Sequence, residues 1–224
     1  MTRRVVLFDI DNTLLYTGGA GSHAMALAFD RLYGVPDGFA GIEFSGRTDR
    51  FILQSGLVTH GVAGDVAEHL DRFTEAYYGL LPDSIEHREG HLMPGFPELL
   101  HTLRDAGAIL GLATGNFSRA ADIKLAAFGI ADYFEGGGFG ETSIERKDVV
   151  ADAIREVANG TDPGNIVVIG DTPHDITSAL DNGAVGIGVA TGTYSTADLA
   201  ASGANLVFED FADYEAAAAR LLGC

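Results

Sequence analysis

The chain has 224 residues, 46% of them hydrophobic, and a formal net charge of −18. That length holds one large α/β unit or a core with a smaller insert. The charge leaves no basic footprint to neutralise nucleic-acid phosphates or an anionic membrane surface, so neither is an expected partner. Val5 to Phe8 is an uninterrupted apolar run leading straight into Asp9, Ile10, Asp11, Asn12 and Thr13. Such a run predicts a strand buried on both faces. Strand alternation puts Asp9 and Asp11 on the same side, with Ile10 opposite. A strand ending near Asp9 carries both acids to its C-terminal edge, where open α/β sheets bind ligands. Paired carboxylates there repel each other and are costly to desolvate, which points to a metal ion, a reaction, or both. A plain strand-to-turn exit is the alternative.

A glycine-rich hinge follows over 17–21, and Ser22 is placed to cap a helix over 23–33 that Gly34 ends. Residues 35–44 read as loop. Thr48 and Asp49 open a short helix through Gln54, closed by Gly56, and 65–81 forms a longer one with Val66, Leu70, Phe73 and Tyr77 roughly along one face. Residues 82–94 read as polar loop. Roughly seventy residues of this kind exceed an ordinary connection, so a helical unit over 17–91 is expected inside a core made of 1–16 and 92–224.

The alternation then resumes. A helix over 96–106 precedes a buried strand, 108–113, that ends in Thr114-Gly115-Asn116. Next come a helix over 118–128 capped by Ser118, a weak glycine-rich strand within 133–139 and a helix over 147–158. A clean strand over 165–169 ends in Gly170-Asp171. A helix over 176–181, strands at 185–189 and 206–208, and an alanine-rich helix over 214–222 complete the chain. Alternating strands and helices imply right-handed crossovers and a mostly parallel sheet. The single cysteine, Cys224, supports no disulfide framework, zinc cluster or cysteine nucleophile. The first apolar run is too short for a signal peptide and no stretch reaches transmembrane length, so a reducing cytoplasm is the expected compartment. Nothing in the sequence sets the oligomeric state.

Three predicted strands thus end in polar residues at one edge: Asp9 with Asp11, Thr114 to Asn116, and Gly170-Asp171 with Asp175 beyond. Lys147 opens the helix between the last two. A candidate nucleophile, a second carboxylate, a hydroxyl, a cation and a further pair of acids are the parts required for phosphoryl transfer through an aspartyl-phosphate. In so acidic a chain an anionic substrate needs a local positive centre, from a metal, a lysine or helix N-termini.

Taken in order, Asp-x-Asp-x-Thr, hydrophobic-Thr-Gly-Asn, a lysine and Gly-Asp-x-x-x-Asp resemble the haloacid dehalogenase superfamily. The helical insert resembles the cap of its phosphoglycolate-phosphatase-like and β-phosphoglucomutase-like branches. The resemblance implies an α/β fold, a Rossmann-like parallel-sheet core with an inserted small α-helical cap domain. It implies a magnesium-dependent phosphatase acting on a small phosphorylated metabolite. Asp9 would be the nucleophile, and Asp11 the acid that protonates the leaving oxygen and then the base that activates water. Thr114, with Gly115 and Asn116 at the following helix start, would hold the phosphoryl oxygens. Lys147 would neutralise the transferring charge and hold Asp9, with Arg146 beside it as the fallback. Asp171 would bind Mg2+ together with Asp9 and the main-chain carbonyl of Asp11, and Asp175 would orient Lys147 or a metal-bound water.

The chain departs from the family pattern where Lys-Pro is frequent, having Lys147-Asp148, and where glycine is commonest, having Asn12, which tolerates the left-handed conformation. His174 is read as a loop histidine, because magnesium favours oxygen. Arg47 either anchors a distal carboxylate or phosphate of the substrate or is a solvated arginine at a helix start. Phe73, Tyr77 and Tyr78 are read as the cap's own core. Three rivals remain on the same scaffold. A phosphosugar mutase of the β-phosphoglucomutase type shares the Asp11 role. A dehalogenase lacks an acid at the Asp11 position. A binding module would have lost a catalytic position, and none is lost here.

Overall fold

Val5–Phe8 forms β1, with all four side chains fully buried. Successive side chains leave a strand on opposite faces, so Val6 and Phe8 join one apolar layer while Val5 and Leu7 join the other. In the computed structural model, which describes residues 3–223, β1 lies between two parallel neighbours, β4 (Ile109–Ala113) and β6 (Ile166–Gly170). Outside them run β5 (Gly137–Gly138) on one side and β7 (Val185–Val189) then β8 (Leu206–Phe208) on the other. The order is β5-β4-β1-β6-β7-β8, with every pair parallel. The chain winds outward from β1 to β5 and returns on the far side of β1 with β6. That reversal opens a crevice at the carboxyl ends of β1, β4 and β6. Cys224 lies outside the described residues.

Helices cover both faces. Leu99, Leu100 and Leu103 of α4 (Glu98–Asp105), Ala121 and Leu125 of α5 (Ser118–Ala127), and Leu221 of α9 (Tyr214–Gly223) pack on the Val6–Phe8 side. Val150 and Ala153 of α6 (Arg146–Val157) and Ala179 of α7 (Pro173–Asp181) pack on the other. A short α8 (Thr196–Ala201) precedes β8.

A two-stranded antiparallel ribbon, β2 (Leu15–Tyr16) with β3 (His91–Leu92), brings two distant stretches of chain together. Between them lie α1 (Ala20–Tyr33), α2 (Asp49–Thr59) and α3 (Val66–Glu86). These three helices share an apolar cluster built on Met25, Phe29, Ile52, Leu53, Phe73, Tyr77 and Leu81, which continues onto Phe117 and Ala120 at the start of α5. Phe73 and Tyr77 therefore serve that cluster as expected, with Tyr78 packed against it. Among the described residues no helix is long and apolar enough to cross a membrane.

Several local expectations change. The first helix begins at Ala20 behind Gly19, whose φ of 76° favours glycine, and Ser22 sits inside it, donating to the Gly19 carbonyl. Gly56 does not stop α2; it leaves room for the Phe39 and Phe29 rings. Helix α3 continues through Pro82, because burial of Leu81 and Ser84 outweighs the hydrogen bond that proline removes. Phe117, not Ser118, is the residue before α5. The weak strand shrinks to β5 after a turn at 131–133. Two-residue strands such as β2 and β3 carry no readable periodicity. Asn12 takes the left-handed conformation expected of it, with φ of 60°.

Candidate active site

Asp9 is the first residue past β1; its amide donates to the Ile169 carbonyl of β6 at 2.9 Å, which fixes the exit of the strand. Its buried carboxylate accepts from Arg146 Nη2 at 2.6 Å. The same nitrogen donates to Asp175 Oδ1 at 2.7 Å and to the Ala113 carbonyl at 3.0 Å. Arg146 begins α6 and is 7% exposed, while Lys147 is exposed to solvent. Consecutive helical residues point about 100° apart, so only one of the pair can face the crevice. The cation beside Asp9 is therefore Arg146, and Lys147 does not reach the site. Both carboxylates are bridged by the one nitrogen Nη2, and the guanidinium stays charged beside them at any working pH.

Asp175 is held by a capping box at the start of α7: Thr172 donates to Asp175 Oδ2 from its amide at 3.1 Å and from its hydroxyl at 2.8 Å. Asp171 Oδ1 accepts from Thr13 Oγ1 at 3.4 Å, and Asp171 Oδ2 is buried without a hydrogen-bond partner among the described residues. Asp9, Asp171 and Asp175 each offer an oxygen, all within 4.8 Å of one another. Burial, then the charges of Asp175 and Asp9, push Asp171 up to about 9. Burial also pushes Asp9 up, to about 6, with Arg146 opposing and Asp175 adding. Three buried acids, one with a donor-less oxygen, suit a cation with a preference for oxygen. The residues present fit a metal ion. Asp11 would join such a set only through its main chain, since its side chain is engaged elsewhere.

Beyond β4, Thr114 is fully buried, and its Oγ1 accepts from Asn116 Nδ2 at 2.8 Å and from the Asn116 amide at 3.3 Å. It stands behind Asn116 and does not line the cavity, unlike Gly115 and Asn116. A side chain at Gly115 would collide with the Arg47 carbonyl and the Arg146 guanidinium, so this close approach requires glycine. Asn116 Nδ2 also donates to Asp11 Oδ2 at 2.8 Å. The second partner of Asp11 is Lys124, whose Nζ donates to Oδ1 at 2.8 Å and Oδ2 at 2.6 Å, and to Asn116 Oδ1 at 2.5 Å. Sequence reasoning missed Lys124. Its signal was its place in the buried stripe of α5, between Ala120, Ala121 and Leu125, where an unpaired charge is not tolerated.

These groups open on a cavity of about 260 Å³ between the sheet edge and the three-helix unit. Gly21, Met25, Ser45, Arg47, Ile52 and Tyr77 supply the opposite wall. Arg47 lines it while its Nε and Nη2 donate to Glu43 Oε2 at 3.1 and 2.8 Å, over the Phe51 ring. Asp49 joins the two halves. Its amide donates to the Gly115 carbonyl at 2.7 Å, and its buried carboxylate accepts from the Phe117 amide at 2.9 Å. Burial pushes Asp49 up to about 7, against the opposing pull of Lys124. His174 lies on the core side of the Gly46 loop, its imidazole shifted down by burial and by Arg47.

A parallel sheet with helices on both faces and a carboxylate cluster at its carboxyl edge defines an α/β enzyme of Rossmann-like architecture. A family model described as haloacid dehalogenase-like hydrolase matches residues 3–183. The chain belongs to that family. Phosphoglycolate phosphatase from Caulobacter vibrioides is 29% identical over 97% of this chain and 91% of its own. A phosphoglycolate phosphatase from Mannheimia succiniciproducens is 31% identical over 54% of this chain and 55% of its own. With such relatives the chain is an enzyme, a phosphoric monoester hydrolase. Among solved structures, a predicted phosphoglycolate phosphatase from Haemophilus somnus superimposes with a TM-score of 0.71 at 21% identity, over 97% of this chain and 98% of its own. A Bacteroides vulgatus protein described as a candidate β-phosphoglucomutase gives 0.70 at 19% identity, over 99% and 90%.

Proposed function

We propose that the protein is a cytoplasmic, magnesium-dependent phosphatase that hydrolyses a small phosphorylated metabolite of the phosphoglycolate kind through an aspartyl-phosphate on Asp9. The observation that carries this reading is the bridge of Arg146 Nη2 between buried Asp9 and Asp175, at the edge of a cavity that also holds Asp11. An Asp9 oxygen attacks phosphorus, and the bond to the leaving alkoxide breaks as Asp11 gives that oxygen a proton. Water then attacks the phosphorus of the phospho-enzyme while Asp11 takes its proton, and inorganic phosphate leaves with Asp9 restored. Arg146 and the backbone of Gly115 offset charge on the phosphoryl oxygens. Thr114 acts from behind, by fixing Asn116. Magnesium, held by Asp9, Asp171 and the Asp11 main chain with Asp175 behind them, would neutralise the negative charge shared by nucleophile and phosphoryl group.

In this reading residues 17–91 are a cap domain over a core of 1–16 and 92–224, excluding water while the phosphoryl group moves. Arg47 exchanges Glu43 for the distal carboxylate of the substrate. The small cavity supports a small substrate, since it falls below the roughly 300–1,000 Å³ of sites for drug-sized ligands. The mutase reading has no comparable support, because the resemblance to β-phosphoglucomutase structures is one of fold alone.

The test is acid-quenched turnover of 2-phosphoglycolate with Mg2+, followed by peptide mass spectrometry. Phosphate is expected on the peptide containing Asp9, and Asp9→Asn is expected to fold normally and turn over nothing. Phosphate on a serine, threonine or histidine, or residual turnover by the variant, refutes the mechanism.

A further inference from the structure

We propose that Lys124 is the positioning residue for Asp11, holding that carboxylate in place for its two proton transfers. The inference rests on the phosphatase reading, in which Asp11 carries the proton. An ammonium has three donors, and all three of Lys124 are spent within 2.8 Å, two on Asp11 and one on Asn116. The lysine side chain is 3% exposed, whereas that of Asp11 is 41% exposed on the loop after β1. The buried partner is therefore the fixed one, and the half-exposed acid is set by it. Asn116 adds a second tie from Nδ2, so both Asp11 oxygens are aimed by groups that belong to α5 and its entry.

The start of α5 is itself held on two sides. Asp49 accepts from the Phe117 amide, and Glu141 accepts from the Ser118 amide and hydroxyl. Above the ammonium lies the first turn of α1, where a Cβ on Gly21 would come within 3.2 Å of Nζ. Lys124 is thus enclosed by core and helical unit together. Folding alone does not call for a lysine here. The position faces the apolar stripe of Ala120, Ala121 and Leu125, where a methionine fills the space without desolvating a charge.

The experiment compares Lys124→Met in the native chain and in an Asp11→Asn background, using 2-phosphoglycolate and nitrophenyl phosphate with Mg2+. In the native chain kcat for 2-phosphoglycolate is expected to fall about ten- to a hundredfold, with KM within about threefold. With nitrophenyl phosphate, whose leaving group needs little protonation, the first burst of nitrophenol is expected to be nearly unchanged while steady turnover slows. In the Asp11→Asn background Lys124→Met is expected to change kcat by less than about twofold, because the group it serves is already gone. Equal losses in both backgrounds, or a rise in KM with kcat preserved, overturn the proposal. Lys124→Gln is run alongside, and failure of both variants to fold makes the residue structural and likewise overturns it. Absence of hydrolysis of either ester by the native chain with Mg2+ instead removes the phosphatase reading, and this proposal with it.

Discussion

Arg146→Met set against Lys147→Ala separates two neighbouring cations by their surroundings. The Arg146 guanidinium is the only charged donor reaching Asp9 and Asp175 among the described residues. Removing one partner of a buried ion pair costs about 3–5 kcal/mol, because the remaining charge stays desolvated. For a chain of this length each kcal/mol lowers Tm by about 2–4 °C, so a fall of roughly 6–20 °C is expected. The cost depends on pH in a definite direction. Asp9 is pushed up to about 6 from 3.8, so the folded protein holds that proton more tightly than the unfolded chain does. Below pH 6 the carboxyl is neutral and tolerates loss of the guanidinium; above it the ionised group does not. The destabilisation should therefore be larger at pH 8 than at pH 5. Turnover should fall at least a hundred- to a thousandfold, the scale set by loss of one donor that stabilises transition-state charge. Lys147→Ala, at an exposed position, should stay within about 0.5 kcal/mol of the native chain and within about twofold in rate. Thermal unfolding at both pH values and steady-state phosphate release measure all of this. A severe Lys147→Ala phenotype, or an Arg146→Met destabilisation of equal size at pH 5 and pH 8, refutes the assignment.

Asp171→Ala should abolish the rise in Tm that Mg2+ gives the native chain, since a ligand that binds only the folded state stabilises it, and should lower the rate together with it. Full activity after chelation would contradict a metal at Asp9 and Asp171. Asp49, pushed up to about 7, keeps a proton in the folded protein that the unfolded chain releases near pH 4, so its contribution to stability declines as pH rises from about 4 to 7. Asp49→Asn retains an oxygen for the Phe117 amide and loses that titration. Urea midpoints should place the variant above the native chain at pH 8 and level with it at pH 4, and parallel profiles would show that Asp49 is not so buried.

The sheet was legible because its strands are buried on both faces and their ends carry unlike chemistry. Val5 to Phe8 running into Asp9 announces both the central strand and its functional edge. Asp171 and Asp175 follow from the same logic at β6, and Gly115 and Asn116 from β4. The phase of a helix start is a different matter. Arg146 and Lys147 are equally polar neighbours, and only the packing of Val149, Val150 and Ala153 on the sheet decides which one points inward. Pro82 misled for a similar reason, since the local rule was overridden by contacts remote in sequence. Lys124 was not legible because a lysine among Ala120, Ala121 and Leu125 carries no local sign that it meets a carboxylate more than a hundred residues away.

That hidden lysine answers a question raised by composition. A chain with a net charge of −18 needs a positive centre to accept an anion, and the structure supplies two buried cations at one sheet edge, each already matched to acids. Arg146 serves Asp9 and Asp175; Lys124 serves Asp11. Asp171 pairs with neither, and its buried Oδ2 lacks a donor among the described residues. With all four acids ionised, two cations leave two formal negative charges, the amount one divalent ion neutralises. Burial, with the charges of Asp175 and Asp9 added, pushes Asp171 up to about 9, so this carboxyl holds its proton most firmly. Proton and metal compete for the same oxygen, so the acid with no cation beside it is the one around which the metal would assemble.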